Sequence, residues 1–254
     1  MVDNNNSNVT VTTADMKARL KESYDTIAPT YNTWTTSHSS LRIKYLDKLL
    51  QLLLGDDFSP GRTFRVLELG CGAGIPVTES LLHYPTAHFH ITANDLSSTQ
   101  IALGKERLGG RDVTITELAS ECRDEGGSKV NWVQGDMMAL SFSEGEKFDL
   151  VIGLYSLIHL PRDEQEVMVD RIAGWLRPDT GLMLVNFSEE EMPSHVSEGW
   201  LGEEKGWMYW SGWGAEKMEE KIGNKKLEVL VSEVNNELDD GIDASFLWVI
   251  ARAT

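Results

Sequence analysis

The stretch FRVLELGCGAGIPVTESLL, Phe64–Leu82, decides how the chain is interpreted. Its first part, Val66–Leu69, is apolar apart from Glu68 and predicts a buried strand. The turn Gly70–Gly74 follows with three glycines at alternate positions, and a helix is expected to open near Pro76. Glycines between a strand and a helix let the backbone approach a ligand and leave helix N–H groups free for its polar atoms. We therefore expect this turn to bind a ligand.

The turn alone leaves the identity of that ligand open. Nicotinamide nucleotides, flavin nucleotides and S-adenosylmethionine all suit a glycine-rich turn, and such glycines can also serve only to tighten packing. A nicotinamide cofactor is the weakest of these interpretations. Its Gly-x-Gly-x-x-Gly pattern would end where Ile75 stands, whereas Gly74 comes one position early.

The composition bounds the class of protein and its partners. The chain has 254 residues, 41% of them hydrophobic and 25% charged, which suits one globular domain. It carries 40 acidic and 23 basic side chains, for a net charge of -17. Its Lys and Arg residues are not clustered, so we expect no nucleic-acid partner. Its longest apolar runs are too short to cross a bilayer, so we expect no membrane partner.

The amino terminus and the cysteines favour a cytoplasmic protein. The start, MVDNNNSNVT, has neither the basic nor the apolar region of a signal peptide. Residues 1–12 are predicted to be a disordered tail that precedes a single domain, 13–254. Cys71 lies inside the glycine turn, where a disulfide would obstruct a ligand, so we interpret Cys71 and Cys122 as reduced thiols.

Strands and helices alternate along most of the chain. Helical spacing predicts helices over 13–36, interrupted by Pro29, and over 40–54. After strand 64–69, further strands are predicted at HFHITAND (88–95), VNWVQGD (130–136), FDLVIGLY (148–155) and TGLMLVNF (180–187), and helices at 74–83, 97–108 and 161–176. The fold class is therefore α/β, with a Rossmann-like, mostly parallel sheet and helices on both faces. KLEVLVSEV and SFLWVIARA then predict a C-terminal antiparallel hairpin.

Two segments exceed this alternation. Residues 109–129 separate a helix from its strand by more than a short loop, and we interpret them as a surface insertion without a direct role. Residues 188–213 form a long connection without clear periodicity, which contains four of the eight tryptophans. Its acidic run Glu189–Glu191 is interpreted as a solvated loop.

Two acids stand at the ends of the second and third predicted strands. Asp95 lies 95 − 74 = 21 residues after Gly74, where an acid can accept hydrogen bonds from ribose hydroxyls, although it could instead cap the helix near Ser97. Asp136 can accept from an exocyclic amine and Met137 can pack on a purine, although a turn aspartate is the alternative.

Taken together, these motifs resemble the class I S-adenosylmethionine-dependent methyltransferases. The likeness is carried by Val66–Gly74, Ala93–Ser97, Gly135–Met137, Phe148–Pro161 and Leu176–Leu184. It is closest to small-molecule enzymes related to ubiquinone-biosynthesis methyltransferases, whose YDxxAxxY pattern reappears over residues 24–31. The resemblance implies a seven-stranded sheet completed by the last hairpin, with S-adenosylmethionine as the cofactor.

The same resemblance assigns cofactor-binding roles to individual residues. Glu68 and the glycine turn would hold the amino-acid end, Asp95 the ribose, and Asp136 with Met137 the adenine. Leu154 and Tyr155 would lie beneath the methionine moiety. The full set of expected cofactor-binding residues is Tyr24, Glu68, Gly70, Cys71, Gly72, Gly74, Asp95, Leu96, Asp136, Met137 and Leu154.

His159 and Tyr155 are the catalytic candidates. His159 follows the fourth strand, and an ordinary histidine titrates near neutral pH, as a base should, but a structural histidine is common at this place in the family. Tyr155 is either an acid-base group or simply a phenol that lines the pocket. The end of the strand lacks the Asn/Asp-Pro-Pro-aromatic pattern of amide and nucleobase N-methyltransferases, which are therefore disfavoured. Leu154 and Tyr155 supply no carboxylate, so we expect no metal.

An acceptor pocket is expected from aromatic residues at two places. Trp200–Trp213 follows the fifth strand, where this fold usually inserts its acceptor cap, and indoles there can exclude water and stack on a ring. Residues 13–55 are expected to form a helical lid opposite. The predicted pocket residues are Tyr31, Trp34, Trp207, Tyr209 and Trp210.

The sequence therefore favours methyl transfer to O, N or S of a small, partly apolar or aromatic molecule by in-line displacement. The alternative is a protein that binds S-adenosylmethionine without transferring its methyl group, as a regulator or as a cyclase. The aromatic cap favours transfer, because a sensor needs no second pocket.

Overall fold

The structure is a computed structural model, and it describes residues 12–55, 59–113, 126–143, 145–239 and 242–254. The helices in these ranges are α1 (Thr13–Ser37), α2 (Ser40–Leu54), α3 (Val77–Leu82), α4 (Ser98–Leu108), α5 (Arg162–Trp175) and α6 (Ala215–Gly223). The strands are β1 (Thr63–Leu69), β2 (His88–Asp95), β3 (Arg111–Asp112), β4 (Lys129–Gln134), β5 (Leu150–Gly153), β6 (Leu182–Ser188), β7 (Glu191–Ser197), β8 (Met208–Trp213), β9 (Leu227–Asp239) and β10 (Ile242–Ala253).

The main sheet has the order β3-β4-β2-β1-β5-β6-β10-β9. Strands β1 to β6 all run parallel, and β10 is antiparallel to both β6 and β9. In the sheet, β2 and β4 lie on one side of β1, and β5 lies on its other side. In such sheets ligands bind in the crevice at the carboxyl ends of the strands where the order reverses, here between β1 and β5.

Alternating side chains on the strands supply two apolar cores, one on each face of the sheet. In β1, Val66 packs with residues of α2, α3 and α4, whereas Leu67 and Leu69 pack with residues of α5 and α6. All three side chains are fully buried. The period of two in the strand thus fixes which helices cover which face.

Helix α1 packs against α4 and β8, and a motif aspartate holds it there. Asp25 accepts hydrogen bonds from the Ser97 hydroxyl at 2.6 Å and the Thr99 N–H at 3.0 Å. The carboxylate thereby satisfies an N–H in the first turn of α4, as anions near helix N-termini do. This places the aromatic side chains of α1 over the carboxyl ends of the strands.

The predicted α/β alternation and the C-terminal hairpin are confirmed. The predicted count of seven strands is wrong by one, because the two residues of β3 pair with Asn131 and Trp132 at the edge of the sheet. The rest of the predicted insertion, residues 114–125, lies outside the described residues, as do Cys122 and residues 1–11 of the predicted tail.

Helix α1 starts at Thr13, as predicted, but differs from the prediction in its middle. Thr12 is the N-cap, because its hydroxyl accepts the Asp15 N–H at 3.2 Å while Asp15 bonds back. Pro29 does not interrupt the helix. It follows Ile27 and Ala28, which are buried, so tertiary packing outweighs the lost backbone hydrogen bond.

The connection 188–213 contains regular structure that its sequence did not predict. Strands β7 and β8 form a separate antiparallel ribbon. Within the described residues, no helix is both long and apolar enough to cross a bilayer.

Candidate active site

Two adjoining cavities lie at the carboxyl ends of the parallel strands. The first, which we call the strand-end cleft, is lined by Lys17, Leu20, Tyr24, Tyr31, Gly70, Gly72, Asn94, Asp95, Leu96, Gln100, Gly135, Asp136, Met137, Leu154, Tyr155, Ser156, His159 and Leu160. The second, the aromatic cavity, has a volume of about 350 Å³ and is lined by Tyr24, Tyr31, Trp34, Arg42, Tyr155, Ile158, His159, Ser188, Glu190, Met192, His195, Ser197, Trp200, Trp210, Ala244, Ser245 and Phe246.

Four side chains belong to both cavities: Tyr24, Tyr31, Tyr155 and His159. They come from α1 and from the segment that follows β5. A molecule in the cleft and a molecule in the aromatic cavity would therefore meet at these four residues.

The glycines of the turn serve different purposes. Gly70 and Gly72 line the strand-end cleft, whereas Gly74 does not. A Cβ on Gly70 would lie 2.3 Å from the Ser156 Cβ, and one on Gly74 would lie 2.9 Å from Leu108. Gly72 meets nothing closer than 3.9 Å, although its φ of +55° still favours glycine. Only Gly72 thus keeps its surface open toward the cleft.

Asp95 closes the cleft beside Gly72. One carboxylate oxygen accepts the Gly72 N–H and the other accepts the Ser97 N–H, both at 2.8 Å. The helix cap of α4 is Ser97, whose hydroxyl accepts the Gln100 N–H at 3.1 Å. Burial raises the pKa of Asp95 to about 6 despite these two bonds. The carboxylate thus orients the glycine turn and also faces the cleft.

Gln100 is a cleft residue that sequence reasoning missed. Its side chain is 1% exposed, and both its amide oxygen and its amide nitrogen are buried without a hydrogen-bond partner. Its oxygen and a carbon of the Tyr31 ring would each lie 3.9 Å from a Cβ on Gly72. Buried polar groups are usually paired, so an unpaired amide that lines a cavity points to a ligand. The only sequence signal was its place one turn after Asp95.

Two predicted residues lie behind the turn rather than in the cleft. Glu68 is buried and accepts a hydrogen bond from the Thr78 hydroxyl of α3. Burial raises its pKa to about 8. Cys71 is a buried free thiol. Glu68 thus ties the glycine turn to the helix that follows, and neither side chain lines either cavity.

Three of the predicted cofactor-binding residues, Asp136, Met137 and Leu96, line the cleft, and Asp136 already has a cationic partner. Lys17 of α1 lies 2.8 Å from the Asp136 carboxylate and 2.6 Å from that of Glu164. Asp136 also accepts the Met138 N–H at 2.9 Å. Helix α1 is therefore attached to the cleft by an ion pair.

His159 is buried between two partners. Its Nδ1 lies 2.7 Å from the Tyr209 carbonyl oxygen, and its Nε2 lies 2.9 Å from the Tyr24 hydroxyl. Since a carbonyl can only accept, Nδ1 carries the proton, and Nε2 accepts from Tyr24. Burial lowers the pKa of His159 to about 4, so the imidazole is neutral at neutral pH. The lone pair on Nε2 of His159 thus accepts from a phenol that lines both cavities.

Tyr155, the other catalytic candidate, has an engaged hydroxyl. The phenol donates to Glu237, and the Arg42 guanidinium lies 3.9 Å from the ring centroid. Burial, together with Glu237, raises the pKa of Tyr155 well above its usual range. Its backbone has a φ of +54° and its N–H donates to Asn186 at 2.6 Å. These contacts make Tyr155 a fixed wall between the cavities.

Three of the five predicted pocket residues line the aromatic cavity: Tyr31, Trp34 and Trp210. Trp200 lines it as well, and its ring lies 5.7 Å from Tyr31, 5.9 Å from Trp34 and 6.1 Å from Trp210. Trp207 packs instead with α1, and Tyr209 contributes its carbonyl to His159.

The described residues contain no group of three His, Cys, Asp or Glu side chains placed to hold a metal ion. The polar lining of the cleft includes backbone, carboxylates and the side-chain amides of Asn94 and Gln100, and the second cavity is built mainly from aromatic rings. This donor set suits an organic ligand with hydroxyl, amino and carboxylate groups.

Comparison with known proteins agrees with this chemistry. Residues 66–179 match the family model described as a methyltransferase domain. The O-methyltransferase rstn1 of Aspergillus nomiae is 27% identical over 154 residues, 60% of this chain and 60% of that protein. A carboxy-S-adenosyl-L-methionine synthase of Chromohalobacter salexigens is 25% identical over 138 residues, 54% of this chain and 44% of that protein. The chain spans 60% or less of these curated relatives.

Solved structures share the fold over nearly the whole chain. The Burkholderia thailandensis 1,6-didemethyltoxoflavin-N1-methyltransferase, solved with 1,6-didemethyltoxoflavin and S-adenosylhomocysteine, aligns with a TM-score of 0.61. The two proteins are 19% identical, and the alignment covers 95% of this chain and 90% of that chain. This likeness establishes the predicted Rossmann-like fold.

The raised pKa of Glu68 predicts a pH-dependent stability. Between its ordinary value of 4.5 and about 8, the folded protein keeps a proton that the unfolded chain releases, so stability falls as the pH rises through this window. Glutamine has no proton to lose. Between pH 6.5 and 8, we expect the calorimetric melting temperature of Glu68→Gln to fall by about 4 °C less than that of the wild type.

The matched control is Glu106→Gln, on the exposed side of α4. Its melting temperature should follow the wild type across the same range. Starting at pH 6.5 keeps the titration of Asp95, with a pKa of about 6, largely below the window. Parallel curves of melting temperature against pH for Glu68→Gln and the wild type would contradict the assignment of Glu68 as a buried, protonated carboxyl.

Proposed function

We propose that this chain transfers the methyl group of S-adenosylmethionine to a small organic molecule. The chain belongs to the class I S-adenosylmethionine-dependent methyltransferase family. The observation that carries the proposal is the junction of the two cavities. The strand-end cleft and the aromatic cavity share Tyr24, Tyr31, Tyr155 and His159, so two ligands can be held end to end. In-line displacement requires that arrangement.

The cleft offers a complementary group for each part of the cofactor. The open backbone of Gly72 suits the amino-acid end, the Asp95 carboxylate the ribose hydroxyls, and Asp136 with Met137 the adenine. Gln100 adds an unpaired amide to this set. When bound, the cofactor supplies a methyl group on a sulfonium, which is a good leaving group. The protein then has to align the acceptor and exclude water.

The aromatic cavity suits the acceptor. Its rings from α1 and from the 188–213 connection pack at centroid distances near 6 Å, and they present apolar faces next to the shared junction. Aromatic walls bind planar or apolar molecules and keep water from the reacting groups. We infer that residues 13–55 act as a lid and 188–213 as an acceptor cap.

Tyr24 and His159 provide a route for a proton. An acceptor hydroxyl or protonated amine at the junction can give its proton to the Tyr24 oxygen while the Tyr24 proton moves to Nε2 of His159. His159 is then a base that acts through Tyr24, and the Tyr209 carbonyl holds it in the required tautomer. Tyr155 has its hydroxyl on Glu237, so we assign it a positioning role.

A second candidate is cofactor chemistry without methyl transfer. It is supported by the likeness to the carboxy-S-adenosyl-L-methionine synthase of Chromohalobacter salexigens. The proposal favours transfer because the aromatic cavity supplies a second pocket beside the cleft.

The direct test uses purified protein with methyl-labelled S-adenosylmethionine and a small-molecule extract of the source cell. Mass spectrometry should detect a labelled small molecule together with S-adenosylhomocysteine. If S-adenosylmethionine binds by calorimetry but label never leaves it in any extract, methyl transfer is wrong and the second candidate is favoured.

Gln100→Leu tests the cofactor assignment. The amide has no partner within the described protein, so leucine removes no internal hydrogen bond and the fold should remain intact. We expect the calorimetric Kd for S-adenosylhomocysteine to rise about tenfold. Gln51→Leu, on the exposed side of α2, is the matched control and should bind normally. Unchanged affinity in Gln100→Leu would remove this residue from the site.

Tyr24→Phe tests the proton route. The substitution keeps the ring but removes the hydroxyl that bonds His159, so we expect kcat to fall about 100-fold with little change in S-adenosylhomocysteine affinity. Tyr84→Phe, whose ring packs on Phe89 away from both cavities, controls for loss of a phenol. A kcat within a few-fold of the wild type would show that the acceptor arrives deprotonated or uses another base.

A further inference from the structure

The aromatic cavity contains one deeply buried cation, Arg42 of α2. Its side chain lines the cavity although the residue is only 4% exposed. The guanidinium carbon lies 3.9 Å from the Tyr155 ring centroid and 5.8 Å from that of Trp34. One nitrogen, Nη1, donates to the His38 carbonyl oxygen at 2.7 Å.

This guanidinium has no carboxylate partner among the described residues. The ion pairs found there include Arg65 with Glu146 and Arg162 with Glu191, but none joins Arg42 to an acid within 4 Å. Glu237 accepts from the hydroxyl of Tyr155, the residue whose ring face Arg42 covers.

A ring face compensates a buried guanidinium only in part. The attraction of a cation to an aromatic ring is weaker than the cost of removing that ion from water. The remaining N–H groups of Arg42 suit an anion, and a planar guanidinium matches a carboxylate in two parallel hydrogen bonds. A ligand in this cavity can provide that anion.

A second donor lies on the same wall. Trp34 lines the cavity, and its indole nitrogen is buried without a hydrogen-bond acceptor. A buried donor without an acceptor is costly, so it too favours a ligand that brings oxygen atoms. The charge of Arg42 and the unpaired indole N–H of Trp34 thus favour the same chemical group in a ligand.

The other charged and titratable side chains of the cavity are more exposed. Glu190 and His195 both line it, but each is exposed at its surface. Water screens an exposed carboxylate far more than a buried guanidinium. Arg42 therefore provides the charge that selects the ligand, and a cationic amine is less favoured as a ligand than an anion.

We propose that the methyl acceptor is a planar aromatic molecule that carries a carboxylate, with Arg42 as the residue that anchors it. The ring would lie among Tyr31, Trp200 and Trp210, the carboxylate would receive N–H groups from Arg42 and Trp34, and the group to be methylated would face Tyr24. This inference rests on the proposed function, since it specifies the substrate class of the same site.

The test measures binding to protein saturated with S-adenosylhomocysteine. The probes are a panel of hydroxylated and aminated aromatic carboxylic acids, each paired with its neutral primary amide and its aminomethyl analogue, titrated by calorimetry. The tightest-binding acids should bind at least tenfold more tightly than their amides. Arg42→Gln should abolish this preference, and Arg42→Lys should restore part of it, because lysine keeps the charge but not the paired hydrogen bonds.

The matched control is Arg62→Gln, an exposed arginine whose guanidinium lies 4.7 Å from the Phe64 ring, outside both cavities. It should keep the full preference for acids. The comparison of acid with amide in the wild type does not depend on whether any variant folds. A panel in which no acid binds more tightly than its amide, or in which the amines bind best, overturns the inference.

The first titration separates this inference from the proposed function. Protein that binds S-adenosylhomocysteine but shows no preference for acids contradicts only the carboxylate anchor. Protein that does not bind S-adenosylhomocysteine contradicts the proposed function itself.

Discussion

The buried hydrogen-bond chain from the Tyr209 carbonyl through His159 to the Tyr24 hydroxyl is the constraint on which the site depends. It joins the β7–β8 ribbon, the segment after β5 and helix α1, which are far apart in sequence. Burial keeps the imidazole neutral, and only the neutral ring can donate to the carbonyl and accept from the phenol at once. The tautomer, the position of α1 and the junction of the two cavities are therefore set together.

Helix α1 links the two ligand sites through a second set of contacts. Lys17 pairs with Asp136 at one end of the strand-end cleft, and two turns later Tyr24 reaches the junction with the aromatic cavity. Both contacts belong to one rigid helix, whose Asp25 is bonded to the start of α4. Any movement of α1 that admits a ligand to the cleft must also change the wall of the aromatic cavity. The proposed lid thus couples the binding of the two ligands.

The sequence predicted the parts of the site that follow directly from a strand. The glycine turn, Asp95, Asp136 and His159 all stand at or just after the ends of predicted strands, and the carboxyl ends of parallel strands meet at one edge of the sheet. Arg42 and Gln100 were missed because they lie on helices, and their direction depends on how those helices pack. The tryptophans show the same limit. Trp200 lies between Gly199 and Leu201, both in left-handed conformations that no pattern in the stretch predicts, so Trp200 rather than Trp207 reaches the cavity.

The family match covers most of the residues that line the first cavity but few of those that line the second. The strand-end cleft is built largely from residues 66–179, the part of the chain that matches the methyltransferase family model. Of the residues that line the aromatic cavity, only Tyr155, Ile158 and His159 fall within that range. The others come from α1, α2, the 188–213 connection and β10, which are attached around the shared sheet. Because different segments build them, cofactor binding and acceptor choice can vary separately, and a relative that shares the cleft does not identify the acceptor. That information lies in the side chains of the second cavity, where a buried guanidinium faces a wall of aromatic rings.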